Sequence, residues 1–162
     1  MRRASWVLFV AGLLLSACYQ VSPTVVEKGV AAPGWRDGIY GRDDGTQVEI
    51  RWDGGQGAYV VGAGGTVRLA PLAGGLFLAD YQAERRSVLL ARLEAGGDVV
   101  FLTPSPAAER QGVAAHGLSV RPGPIPRLDG SAESVRHYFA ALAAQGRAAE
   151  LTEAARLRWL HS

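Results

Sequence analysis

Several groups of residues in this 162-residue chain have types and spacings that invite a chemical reading. His116, Ser119 and Asp129 supply the base, hydroxyl and carboxylate of nucleophilic hydrolysis. That chemistry wants its serine on a strained strand-to-helix elbow, and Gly117-Leu-Ser-Val-Arg121 lacks the G-x-S-x-G pattern, so surface loop residues are predicted instead. Glu133 and His137 stand four apart and would share one helix face as two metal ligands, but no third is evident. Asp43-Asp44-Gly45, with Glu49 nearby, offers carboxylates for calcium without the twelve-residue ligand spacing, and Asp44-Gly45 is a preferred hairpin turn. The glycine string from Gly54 to Gly65 matches neither phosphate-binding spacing and leads into a strand rather than a helix, which predicts two hairpin turns. Trp35, Tyr40, Trp52 and Tyr59 could line a groove for sugar or peptide, although aromatics at strand spacing more often fill a core. The sequence therefore points to no catalytic residue, no metal ligand and no cofactor.

A different chemistry is written at the start of the chain. Arg2 and Arg3 precede the apolar run Trp6 to Ala17, which as a helix would rise only about 18 Å against a bilayer core of about 30 Å. A positive start, a short apolar middle and a small-residue end make a secretory signal peptide rather than a membrane span. The run ends in Leu15-Ser16-Ala17-Cys18.

Those four residues resemble the lipobox of bacterial lipoproteins: a hydrophobic residue, two small ones and a cysteine, read by the lipoprotein signal peptidase. The resemblance covers the first 18 residues. It implies cleavage between Ala17 and Cys18, a diacylglyceryl group on the Cys18 sulfur and often acylation of the new amino group. Two or three acyl chains anchor stably where one holds only marginally. Tyr19 comes after the cysteine rather than an aspartate, which by the sorting habit of Gram-negative lipoproteins implies the outer membrane. The twin arginines lack the longer consensus of folded-protein export, so general secretion is expected.

Composition narrows the partners. The chain carries 17 Lys+Arg against 15 Asp+Glu, and loss of Arg2 and Arg3 with the signal leaves the two signs equal. No basic cluster with interleaved aromatics remains, which argues against nucleic acid and against a polybasic membrane patch. Cys18 is the one cysteine, so no intrachain disulfide and no cysteine metal cluster can form. The expected partners are membrane lipid, through acylated Cys18, and an envelope protein.

The elements that must carry these residues fall into blocks. Residues 18–34 read as the lipidated cysteine and a tether able to reach about 55 Å when extended. Residues 35–103 show short β segments broken by glycine about every ten residues, too close for crossover helices, which predicts an antiparallel meander of about seven strands curled into a sandwich or partial barrel. Gln47 to Trp52 alternates polar and apolar, whereas Leu76 to Ala79, Ser87 to Leu93 and Val99 to Leu102 are apolar on both faces and should be doubly covered. Residues 104–130 form a Pro/Gly-rich segment in which Ser105-Pro106 caps a helix to about Gln111 and Leu118 to Val120 is an edge strand. Residues 131–162 predict a helical hairpin packed over one face or open end of the meander: a first helix with Ser131 as N-cap and Val135, Tyr138, Phe139 and Leu142 as its stripe, and a second from about Ala148 to Leu160. Residues 35–162 are expected to make one domain.

The functional expectation is a lipid-anchored envelope protein acting as a non-catalytic binding or assembly module. Two rivals make different demands. A carrier of a small lipophilic ligand needs a cavity of several hundred Å³ inside the sheet, lined by Phe77, Leu90 and Phe101. A hydrolase needs a nucleophile and a carboxylate beside His116.

Overall fold

The computed structural model describes residues 18–162; the signal-peptide reading of residues 1–17 and the Ala17 side of the cleavage site lie outside it. Eight strands close into an antiparallel barrel: β2 (Gly38–Gly41), β3 (Gln47–Asp53), β4 (Ala58–Val61), β5 (Gly65–Pro71), β6 (Leu76–Gln82), β7 (Arg86–Leu93), β8 (Val99–Thr103) and β11 (Thr152–His161). The first seven pair in sequence order, as the glycine-punctuated meander requires. Closure comes from β11, which pairs with β8 through Thr152 to Leu157 and with β2 through Arg158 to His161. A closed barrel has no free edge to shield.

Strand β11 replaces the expected second helix of a hairpin. Its true period is two: Ala155, Leu157 and Trp159 join the interior cluster, while Arg156 and Arg158 make ion pairs with surface carboxylates. Before it, helix α2 (Ala132–Gln145) runs into a 3-10 turn at Gly146–Ala149, and Glu150 takes a left-handed φ of 49° that breaks the helix.

The doubly apolar strands are doubly covered. Their inner faces, with Ala79, Leu89, Ala91, Val99 and Phe101, fill the barrel, and their outer faces, with Leu78, Val88, Leu90, Val100 and Leu102, form a second core beneath the helices. Helix α1 (Pro106–Ala115) is capped by the Ser105 hydroxyl, which accepts from the Ala108 N–H at 3.1 Å, and it runs past Gly112 instead of stopping there. In α2, Ser131 caps and Val135, Tyr138, Phe139 and Leu142 are all buried. Both helices lie against the barrel's flank and neither covers an open end.

Gly112 lets the helices meet. A Cβ there would stand 2.6 Å from Cε2 of Tyr138, whose ring is fully buried. Gly112→Ala should gain about 1 kcal/mol of helix propensity yet lose about 1–3 kcal/mol to overpacking. A net fall in the denaturant midpoint is expected; a stabilised variant would show that the α1–α2 contact is slack.

The remaining strands branch off the barrel. β1 (Tyr19–Gln20) pairs antiparallel with the first half of β7, where β8 does not reach, and parallel with β10 (Arg127–Asp129), which carries the edge strand β9 (Ser119–Arg121). Residues 18–34 are therefore no tether. Cys18, Tyr19, Val21, Val25, Val26 and Ala32 are all buried, because the apolar residues of this segment have two cores to join. The segment is a strap that lies against the outer core from Tyr19 to Val26, passes the wall at Gly29 and enters the interior cluster at Ala32 and Trp35. Only glycine fits the crossing, since a Cβ on Gly29 would come within 2.7 Å of the Gly57 carbonyl oxygen.

Candidate functional site

Strand direction gives the barrel two distinct ends. One is a rim carrying the β2–β3, β4–β5 and β6–β7 turns, and the other carries the β3–β4, β5–β6 and β7–β8 turns. Cys18 continues β1 one position beyond the Tyr19–Val88 pair, opposite Leu89 midway along β7, at the seam where β1 and β8 share the edge of that strand. Its side chain belongs to the interior cluster, whereas Tyr19 belongs to the outer one, as alternation along a strand demands. Desolvation pushes the Cys18 thiol up to about 12, so an unmodified Cys18 is neutral here and is no nucleophile. The thiol is felt by Tyr81: burial raises that phenol, the Arg42 charge opposes the rise, and Cys18 adds to it.

Tyr19 fixes the chain immediately after the cysteine. Its hydroxyl donates to Glu109 Oε2 on α1, and its ring meets Tyr138 and Phe139 edge-on at 6.4 and 6.1 Å. Burial drives this phenol far above its ordinary range. Farther along the strap, Oδ2 of the buried Asp80 accepts from the Val25 and Val26 N–H groups, both at 2.9 Å, while Arg86 Nη1 donates to both oxygens of the carboxylate at 2.9 Å. Arg136 on α2 donates to the Val25 carbonyl at 3.1 Å. The strap is thus hydrogen-bonded to the barrel and to both helices.

Two concavities compete as binding sites. The barrel interior holds a cavity of about 40 Å³ bordered by Trp35, Arg42, Tyr81, Phe101 and Leu157, room for a water or two and not for an organic ligand. Trp35 stacks on Tyr59 with ring centres 4.3 Å apart, and Tyr59 meets Trp52 at 5.0 Å, so these three aromatics are packed together rather than laid out as a sugar groove. Tyr40 is wholly buried and donates to the Arg36 carbonyl at 2.7 Å. Of the residues expected to line a carrier cavity, Phe77 and Phe101 face inward and Leu90 faces the outer core. The larger concavity, about 420 Å³, opens on the flank between the C-terminal end of α2 and the outer face of β6 to β8. Leu76, Leu102, Ala143 and Leu151 form its floor, and Arg92, Arg147 and Glu150 stand at its edge.

The other residues singled out in the sequence lie on the helices, the hairpin turns and the edge strands. Ser119 and Asp129 are register partners on β9 and β10, but Asp129 is taken up by Arg121 and Arg127, whose hydrogen bonds hold its carboxyl below the usual range. Nδ1 of His116 lies 2.8 Å from the Gly112 carbonyl of its own helix. Glu133 and His137 are exposed on α2. Asp44 closes the β2–β3 turn by accepting from both the N–H and the hydroxyl of Thr46, and Asp43 pairs with Arg158. Gly54 to Gly57 and Gly62 to Gly64 form the two hairpin turns. Among the described residues no group of three His, Cys, Asp or Glu is placed to hold a metal.

One charge cluster escaped the sequence reading because its members are scattered. Arg156 on β11 reaches Glu153, Glu94 and Asp98, tying the closing strand to the β7–β8 turn. Hydrogen bonds from Arg156 hold the Glu94 and Glu153 carboxyls below their ordinary 4.5. Lowered carboxylate pKa values contribute stability that is present above the unfolded value and lost as pH falls through the folded one. The thermal midpoint should therefore drop as pH is taken below 4.5, and Arg156→Gln should flatten that slope; an unchanged slope would refute the role of this cluster. Among family models, curated proteins and solved structures, no match to this chain is found.

Proposed function

We propose that this protein is a lipid-anchored module of the bacterial cell envelope, held at the outer membrane through acylated Cys18, and that it binds a protein partner without catalysing a reaction. The observation that carries the reading is the contrast between its two concavities. The interior is filled down to about 40 Å³, whereas the flank groove offers about 420 Å³ over an apolar floor edged by charge. That shape suits an apolar segment of a partner protein better than an enclosed metabolite. The anchor half of the proposal rests on Leu15-Ser16-Ala17-Cys18, and what supports it in the fold is that the described residues, from Cys18 onward, close the barrel and supply two cores.

Each half has its own test. Cys18→Ser should move the protein from the membrane to the soluble fraction, and a variant that still pelleted with membranes would sink the lipoprotein reading. For the binding half, the mature protein is cross-linked in its native envelope, captured, and analysed by mass spectrometry for proteins and co-extracted small molecules. A stoichiometric protein partner is expected; a retained lipid or metabolite with no protein partner would overturn the proposal in favour of a carrier.

A further inference from the structure

Two buried donors border the barrel's interior cavity without a partner. Trp35 is 7% exposed, and neither its Nε1 nor the buried Nε of Arg42 meets a hydrogen-bond acceptor among the described residues. Both residues line the cavity of about 40 Å³, and the rest of its wall is apolar except for Tyr81, whose phenol burial keeps neutral. An indole and a guanidinium can only donate, and a buried donor needs an acceptor.

Charge decides which acceptor fits. Arg86 is matched by Asp80, Arg156 by Glu94, Asp98 and Glu153, and Arg158 by Asp43, whereas Arg42 makes no ion pair among the described residues. The two acids of its own turn are committed elsewhere, Asp43 to Arg158 and Asp44 to Thr46. That turn also fixes Arg42: its N–H donates to the Thr46 carbonyl at 2.9 Å, and its carbonyl accepts from the Gly45 N–H at 3.0 Å. A fixed guanidinium without a counter-charge, beside apolar walls that strengthen its attraction, favours an anion over a neutral water. Volume sets the size. Space for a water or two admits a monatomic anion and excludes phosphate and larger organic acids.

We infer that the barrel interior binds one halide ion, chloride under ordinary conditions, which accepts hydrogen bonds from the Trp35 indole and the Arg42 guanidinium. Arg42 is half-buried and stands in the β2–β3 turn at the rim, which gives the ion a short route from solvent. Bound there, chloride joins the inner end of the strap, at Trp35, to the rim turn, at Arg42. The inference is independent of the anchor and of the partner.

Urea unfolding of the mature protein tests it, in mixtures of sodium chloride and sodium gluconate at constant ionic strength, gluconate being too large for the cavity. A ligand that binds only the folded form lowers the unfolding equilibrium constant in proportion to its concentration once the site is mostly filled. In that range each tenfold rise in chloride should lower the constant about tenfold. Bromide should act as chloride does. Arg42→Met, which keeps an apolar stem and removes every donor, should abolish the dependence. Trp35→Phe, which keeps a ring against Tyr59 and removes the indole N–H, should weaken it. Anomalous diffraction from crystals soaked in bromide should place one ion beside Trp35 and Arg42. Equal stability in chloride and gluconate overturns the inference. So does a chloride effect that survives Arg42→Met, one undiminished in Trp35→Phe, or a cavity that holds water alone.

Discussion

Asp80→Ala is expected to lower the stability of the folded protein by about 3–5 kcal/mol and to free the strap, because it removes one partner of a buried ion pair and leaves the rest unsatisfied. The carboxylate is 1% exposed and serves three donors: the Val25 N–H, the Val26 N–H and the Arg86 guanidinium. Denaturant titration reads the loss, and limited digestion with trypsin, which would cut the released strap after Lys28, reads its location. A double replacement, Asp80→Leu with Arg86→Leu, separates the two jobs. If the ion pair were the whole story, removing both charges would be close to neutral. The strap amides would still be orphaned, however, at about 1–3 kcal/mol each, so the double variant should remain destabilised and susceptible to trypsin. A double variant as stable as the parent would show that the strap does not depend on Asp80.

Trp35→Ala should cost a comparable 3–5 kcal/mol, roughly, by deleting a large buried side chain from the barrel interior. The stack on Tyr59 disappears, and the space joins the existing cavity of about 40 Å³, on whose border Trp35 stands. Trp35→Phe should cost much less. It keeps an aromatic ring against Tyr59 and removes an indole N–H that is buried without a hydrogen-bond partner, a group that already weighs against the fold. Equilibrium unfolding of the two variants measures the gap. Indole added to Trp35→Ala should restore part of the lost stability by filling the hole, as an apolar cavity accepts an apolar guest. Equal costs for the two variants, with no effect of indole, would mean that the interior collapses around the missing side chain.

These two residues also show where the sequence was legible and where it was not. The meander could be read because each turn carries its own glycines and each strand its own period, and the apolar runs at Leu76, Ser87 and Val99 foretold strands covered on both faces. The α2 stripe and both serine caps were legible for the same local reason. The final strand was not. Leu151, Ala154, Leu157 and Leu160 stand at intervals of three in an alanine-rich stretch, and intrinsic propensity favours helix there. Tertiary pairing overrode it, since β2 and β8 each offered an edge that only a strand could fill. The strap was missed in the same way: Val21, Val25 and Val26 show no period, and the strap's hold on the barrel depends on Asp80, more than fifty residues away in sequence. Of the candidate site, Cys18 was marked by its own motif, while its fixed backbone and the flank groove arise from elements far apart in the chain.

The order of the strands has a consequence for the birth of the molecule. β2 to β8 are made first, but the wall between β2 and β8 stays open until β11 arrives, after both helices have been made. Throughout that interval the nascent protein is a curled sheet with two bare edges, and an unpaired edge is a template for another chain. Pairing across such sequence distances is slow, because loop closure must precede the contacts that reward it. The barrel can therefore be sealed only once β11 is available, and until then the edges of β2 and β8 are where another chain could pair.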